Sequence, residues 1–200
     1  MKKWLVLVFI FNVLVLQAQQ EVVVQTSKEF QDQLNRNYAD STKSPLTEED
    51  FKVFKTLDFF PINEKFIVEA QFIRTKRAKV FEMKTSTARL PQYKKYGELH
   101  FVIDGIKHQL NVYQSMDLIK MPKYKNHLFL PFSDTTCGKE SYIGGRYIDM
   151  EIQKGTTWII DFNKAYNPYC AYNYKYSCPI VPLENDLEIA ILAGVKKFHD

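Results

Sequence analysis

GELHFVIDGIKHQLNVY, residues Gly97 to Tyr113, is the stretch that decides the fold. Apolar and polar residues alternate on both sides of Asp104-Gly105, a pair suited to the two positive-φ positions of a type I′ turn. A two-residue turn sets the register, so that Ile103 faces Ile106, Phe101 faces His108 and Leu99 faces Leu110. One face of this predicted hairpin is apolar, with His108 set into it as a hydrogen-bonded core histidine and His100 on the opposite face beside Gln109.

The same period of two extends outward. Residues 66–72 and 78–83 read as strands upstream, and residues 187–192 as the last strand downstream. Residues 146–152 and 156–163 flank Lys154-Gly155 and read as a second hairpin, with Ile152 opposite Thr157, Met150 opposite Ile159, Ile148 opposite Asp161 and Arg146 opposite Asn163. Arg146 then lies on an apolar row, where an unpaired charge costs several kcal/mol, and Asp161 is its expected diagonal partner. Before the strands, residues 27–39 space Phe30, Leu34 and Tyr38 four apart behind Ser27 as a predicted N-cap. Thr47 with Asp50 three residues on resembles a capping box, opening a short helix to about residue 55 with Phe51 and Phe54 inward. The expected fold is mainly β, α+β by content. Its antiparallel sheet of about eight strands curls into a barrel or folds into a sandwich, with two short N-terminal helices packed on it.

Bulk properties bound the function. Two hundred residues with 46% hydrophobic and 14% aromatic content suffice for one well-cored domain. Met1-Lys2-Lys3 followed by an apolar run from Trp4 to Leu16 reads as a secretory signal peptide over residues 1–19, cleaved near Ala18, leaving 20–200 as the single domain. The apolar run is shorter than the roughly 20 residues that span a bilayer, so no stable membrane anchor is expected after cleavage, and the product is periplasmic or extracellular. Without Lys2 and Lys3 the 27 basic residues fall to 25 against 23 acidic, a formal +2. Lysines are interspersed with carboxylates, which argues against a nucleic-acid partner.

Chemistry concentrates between Leu128 and Asn185, which hold seven of the twelve tyrosines and all three cysteines. Export permits disulfides, and Cys170 and Cys178 bracket a short aromatic loop as the natural pair, leaving Cys137 over. No metal-ligand spacing, phosphate loop or dinucleotide fingerprint is present, so no metal and no cofactor are expected. What remains is a polar constellation of Asp134, Glu140, Tyr142, Arg146, Tyr147, Asp161, Asn163 and Asn167. Asp134 ahead of Thr135-Thr136 suits an Asx turn. Carboxylates near an arginine serve a ligand pocket or, with their pKa values pushed apart, general acid–base catalysis.

At these residues the chain resembles the family catalogued as domain of unknown function 1684, bacterial and archaeal proteins of about this length. The likeness runs through Ser44-Pro45-Leu46, Phe59-Phe60-Pro61, Thr85-Ser86 and Tyr96-Gly97. It continues through PFSDTTCGKESYIGGRYIDME (131–151), DFNKAYNPYCAY (161–172), CPIVPLEN (178–185) and Ala193-Gly194. Two departures accompany it: Val195 stands where the family usually has an acid, and many relatives keep cysteines like Cys170 and Cys178 without an export signal. The resemblance implies no activity, substrate or cofactor. The residues themselves point first to an exported envelope protein, structural or binding a small molecule at a polar Asp/Glu/Arg/Asn site between loops. One alternative is a hydrolase-like enzyme using Asp134 or Glu140 with Arg146, and another a protein-interaction module using the Tyr-rich loop 166–176.

Overall fold

The computed structural model describes residues 27–199; the predicted signal peptide and its cleavage point lie outside the described residues. Within them α1 (27–39) and α2 (Glu48–Val53) precede eight strands: β1 (Ile67–Arg74), β2 (Val80–Glu82), β3 (Gln92–Ile103), β4 (Ile106–Ser115), β5 (His127–Asp134), β6 (Arg146–Glu151), β7 (Thr157–Asp161) and β8 (Asp186–Leu187). Six of them form the order β6-β5-β4-β3-β1-β7, with β2 added on β3 and β8 parallel to β5. The result is an antiparallel sheet curled into a half-barrel.

The β3–β4 hairpin forms in the expected register, Ile103 opposite Ile106, Phe101 opposite His108 and Leu99 opposite Leu110. Its turn has φ of 53° at Asp104 and 76° at Gly105, the two positive values a type I′ turn requires. His108 differs from expectation in one respect, since its buried Nε2 has no hydrogen-bond partner.

The second expected hairpin does not form. β6 pairs with β5, placing Phe132 opposite Arg146, while β7 pairs with β1, placing Val68 opposite Ile160 and Ala70 opposite Trp158. Two strands joined by a five-residue connection thus become the opposite edges of the sheet. Long-range packing overrides the local turn: on β1 and β7 Trp158 stacks on Phe72 with centroids 3.8 Å apart, and Trp158 and Ile160 are buried against Val68, Ala70, Leu99 and Phe101. Burying a large apolar side chain contributes about 2–3 kcal/mol, more than one turn can return.

The concave core is built from alternate residues, among them Leu99, Leu110, Leu128, Leu130, Phe132, Ile148 and Met150. β5 is buried on both sides, which explains its unbroken LFLPF run: Phe129 faces a second cluster with Met83, Tyr93, Tyr113 and Tyr147. A third cluster seats the helices, with Tyr38 against Tyr172 at 4.9 Å and Leu46, Leu57 and Val195 around them. Thr47 caps α2 by accepting from the Asp50 amide at 3.1 Å, while its hydroxyl donates to the Asp50 carboxylate at 2.8 Å. Ser27, expected as an N-cap, is already helical, and its hydroxyl donates to Asp161 Oδ2 at 2.6 Å. The predicted last strand contracts to the two residues of β8, because the following chain leaves the sheet to lie across the core, with Ile191 and Ala193 fully buried.

Candidate functional site

Arg146 is fully buried at the start of β6, where Gly145, at φ 82°, leaves no room for a Cβ against the Phe132 carbonyl 2.6 Å away. Its guanidinium donates to Asp134 Oδ2 at 2.6 Å, to the Ile191 carbonyl at 2.8 Å and to the Ala193 carbonyl. Phe132 and Phe60 lie 5.2 Å and 5.8 Å from it. Asp134 also accepts from the Thr136 amide at 2.8 Å, the Asx turn expected there. The partner of Arg146 is therefore Asp134 and not Asp161. The diagonal rule holds, but on a different strand: with β5 as neighbour, Arg146 faces Phe132 and Asp134 lies two residues further on. The pair holds the 191–193 segment against the half-barrel.

Asp161 and Asn163 form a separate network at the end of β7. The Asp161 carboxylate accepts from Ser27 and, through Oδ1, from the amide and Nδ2 of Asn163, both at 3.0 Å. Asn163 exchanges two hydrogen bonds with the Asn63 backbone, at 2.9 Å and 3.0 Å, and its own carbonyl accepts from Gln31 at 2.9 Å. These contacts stitch α1 and the entry to β1 onto β7. Asn167 holds the C-terminal segment by donating to the Lys196 carbonyl at 2.8 Å, while its Oδ1 is buried without a partner. Tyr142 joins none of them; its hydroxyl lies 3.9 Å from Cys170 Sγ, and burial raises it to about 12.

The expected constellation is thus distributed over separate places. Asp134 and Arg146 meet, Asp161 and Asn163 meet, and Glu140 stands apart from both. Glu140 is exposed on the rim of an open cleft of about 870 Å³. Phe60, Pro61, Ile62 and Leu192 give this cleft apolar walls, and Glu64, Glu140 and Lys196 bring charge to it. Lys196 pairs with Asp58 at 3.0 Å and lies 5.6 Å from the Phe60 ring. The Glu140 side chain has no hydrogen bond or ion pair among the described residues. The buried polar groups therefore act behind the cleft: Arg146 backs Phe60 and fixes the carbonyls on either side of Leu192.

Sequence reading missed the cleft: it met Phe60 only in a family-like motif and Leu192 only in the last predicted strand, and did not single out Ile62 or Lys196, because nothing local shows that the 60–64 segment and the C-terminal chain will meet. It also missed Asn185. This residue is fully buried between β4 and β5, accepting from the Asn111 amide at 2.8 Å and donating to the carbonyls of Asn111 and Pro131 at 2.8 Å and 2.6 Å. Among the described residues no three His, Cys, Asp or Glu side chains gather as a metal site.

The solution structure of an uncharacterised protein from Haloarcula marismortui shares this fold, with a TM-score of 0.70 and 30% sequence identity over 90% of this chain and 96% of the other. No curated protein matches the sequence. The family model described as protein of unknown function (DUF1684) matches residues 52–196, which contain the half-barrel, the buried Asp134–Arg146 pair and the cleft acid Glu140. The chain belongs to that family.

Proposed function

We propose that this is an exported binding protein that holds a small molecule with a cationic head and an apolar body in the cleft beside Glu140. The observation that carries this reading is the unpaired Glu140 carboxylate on the rim of apolar walls. An ammonium group pairs with that carboxylate while its hydrocarbon part covers Phe60 and Leu192, and Glu64 adds a second negative charge. Lys196 is turned toward Asp58 and so opposes a cation only weakly.

2-Phenylethylammonium is a suitable probe. At a tenfold excess over Kd a ligand stabilises the folded state by about 1.4 kcal/mol, which raises Tm by roughly 3 °C in a chain of this size. The expected result is such a shift in the wild type and its loss in Glu140→Gln. No shift in the wild type, or equal shifts in both proteins, would sink the reading. The hydrolase alternative, Asp134 or Glu140 with Arg146, draws no support from Asp134 and Arg146, whose side chains are sealed at 0% exposure while general acid–base groups must reach the reacting atoms, and it leaves Glu140 on the cleft rim without the arginine it was to act with. The interaction alternative rests on Tyr174, 98% exposed at the tip of the Tyr-rich loop, whereas Tyr172 of the same loop is buried in the third cluster.

A further inference from the structure

We propose that Cys170 and Cys178 form a reversible dithiol–disulfide couple, with Cys170 as the attacking thiol and Cys178 as the resolving one, exchanging with small disulfides of the glutathione class. Both are free thiols, and the Cys170 amide donates to Cys178 Sγ at 3.2 Å, which brings the second sulfur against the backbone of the first cysteine. Cys178 is held on a rigid support: its amide donates to Ser86 Oγ at 3.1 Å, the Ser86 amide donates to its carbonyl at 2.9 Å, and Pro179 bridges Thr85. Cys170 sits in the short turn Tyr169–Ala171 and is half-exposed, while Cys178 is buried. The exposed member can therefore meet a solute disulfide, and the buried member can meet only Cys170.

The surroundings also separate the two chemically. A hydrogen bond from the Cys178 thiol, helped by Tyr142, brings Cys170 down to about 6, which favours its thiolate. The same contact, with burial, pushes Cys178 well above the ordinary thiol range, so it keeps the proton. In the first step the Cys170 thiolate attacks one sulfur of oxidised glutathione, forming a mixed disulfide and releasing one glutathione thiolate. Cys170 is then uncharged, and the interaction holding the proton on Cys178 is gone. Cys178 attacks Cys170 Sγ and expels the second glutathione, which takes up the Cys178 proton as it leaves. Two protein thiols are oxidised to one disulfide, and one glutathione disulfide is reduced to two thiols. Cys137 lies elsewhere, between the Asp134 amide at 3.5 Å and Ser141 Oγ at 3.8 Å, and serves as an internal control.

The test is mass spectrometry with peptide mapping of the pre-reduced chain after oxidised glutathione is added. The wild type is expected to lose the Cys170 and Cys178 thiols together and retain no glutathione on either. Cys178→Ser should trap one glutathione on Cys170, and Cys170→Ser should leave Cys178 unmodified. Independently of any variant, iodoacetamide should alkylate Cys170 with a half-plateau pH well below the ordinary thiol value, the direction its contacts set. The proposal is overturned if the wild type keeps glutathione on Cys170 with Cys178 still free. It is equally overturned if Cys170 alkylation rises only near the ordinary thiol value of about 8.5.

Discussion

Removing the guanidinium of Arg146 leaves Asp134 buried without its ion-pair partner and strips the Ile191 and Ala193 carbonyls of their donors. Arg146→Ala is therefore expected to destabilise the protein by about 3–5 kcal/mol, measured by urea denaturation, whereas the pair replacement Asp134→Leu with Arg146→Met should recover most of that loss. A single variant within about 1 kcal/mol of wild type would show that the buried pair is not what fixes the 191–193 segment. The need for a partner at Arg146 was legible in the sequence, because a charge on an apolar row must be neutralised. Its identity was not, since that depends on which strand lies alongside. The cysteine pair gives a pH-dependent expectation. Cys170 falls from 9.0 to about 6 on folding, so its stabilising contribution is present above 9.0 and is lost as pH falls through about 6. Cys178 is shifted upward from 9.0, so its contribution is present below that value and is lost as pH rises above it. Under reducing conditions the advantage of wild type over Cys170→Ser should therefore grow from pH 6 toward pH 9 and stop growing beyond it. A difference that is flat with pH would show that the thiol contact does not persist in solution.

Between β4 and β5 the backbone ladder has a single register pair, Tyr113 with Phe129, and a side chain takes its place beyond that pair. Asn185 reproduces strand pairing by accepting and donating at Asn111 and donating at Pro131. The sheet uses the same device between β6 and β7, where Gln153 accepts from the Ile159 amide at 2.9 Å and donates to its carbonyl at 3.0 Å. Burial decides what each is worth. Asn185 is fully enclosed, so Asn185→Ala orphans three backbone groups and should cost about 3 kcal/mol or more in urea denaturation. Gln153 is at the surface, where water replaces it, and Gln153→Ala should cost less than about 1 kcal/mol. Comparable losses at the two sites would refute this distinction. Local features were readable from sequence because they are decided within a few residues: the Asp104-Gly105 turn, the Thr47 cap and the stripe on α1. Asn185 was not readable, because a lone asparagine in a loop carries no mark of the two strands it will bridge from 74 and 54 residues away.

Curling the sheet brings its two edges toward one another, since β6 and β7 are consecutive in the chain yet occupy opposite ends of the strand order. The gap is closed at one end by Tyr147 and Tyr166, which exchange two backbone hydrogen bonds at 2.9 Å, and at the other by Gln153. A narrow cleft of about 290 Å³ remains between them, lined by Asp149, Glu151, Ile159 and Asp161 among others. Sequence alternation was blind to this gap and to the core face of β7: both rows of β7 carry apolar residues, so a β6–β7 hairpin with Ile159 and Asp161 on the face of Met150 and Ile148 satisfies the pattern as well as the observed arrangement, in which Trp158 and Ile160 are buried and Ile159 is exposed. Backbone direction does distinguish the two arrangements. In an antiparallel strand alternate amides point to opposite neighbours. The Ile152 amide bonds to Asn126 on the β5 side and the Tyr147 amide to Tyr166 on the other, so Ile148 and Met150 point to β5 and Asp149 points into the gap. On β7 the Thr156 carbonyl bonds to Phe72, so Trp158 and Ile160 point to β1 and Ile159 into the gap, where Gln153 meets it. Amide hydrogen exchange should therefore find Ile148, Met150, Trp158 and Ile160 protected and Asp149 exchanging fast. Ile159 should be protected in the wild type and lose that protection in Gln153→Ala, with its neighbours on β7 unchanged. If β6 and β7 instead pair in solution, Asp149 and Ile159 will both be protected whether or not Gln153 is present, and the half-barrel would have to be redrawn as closed.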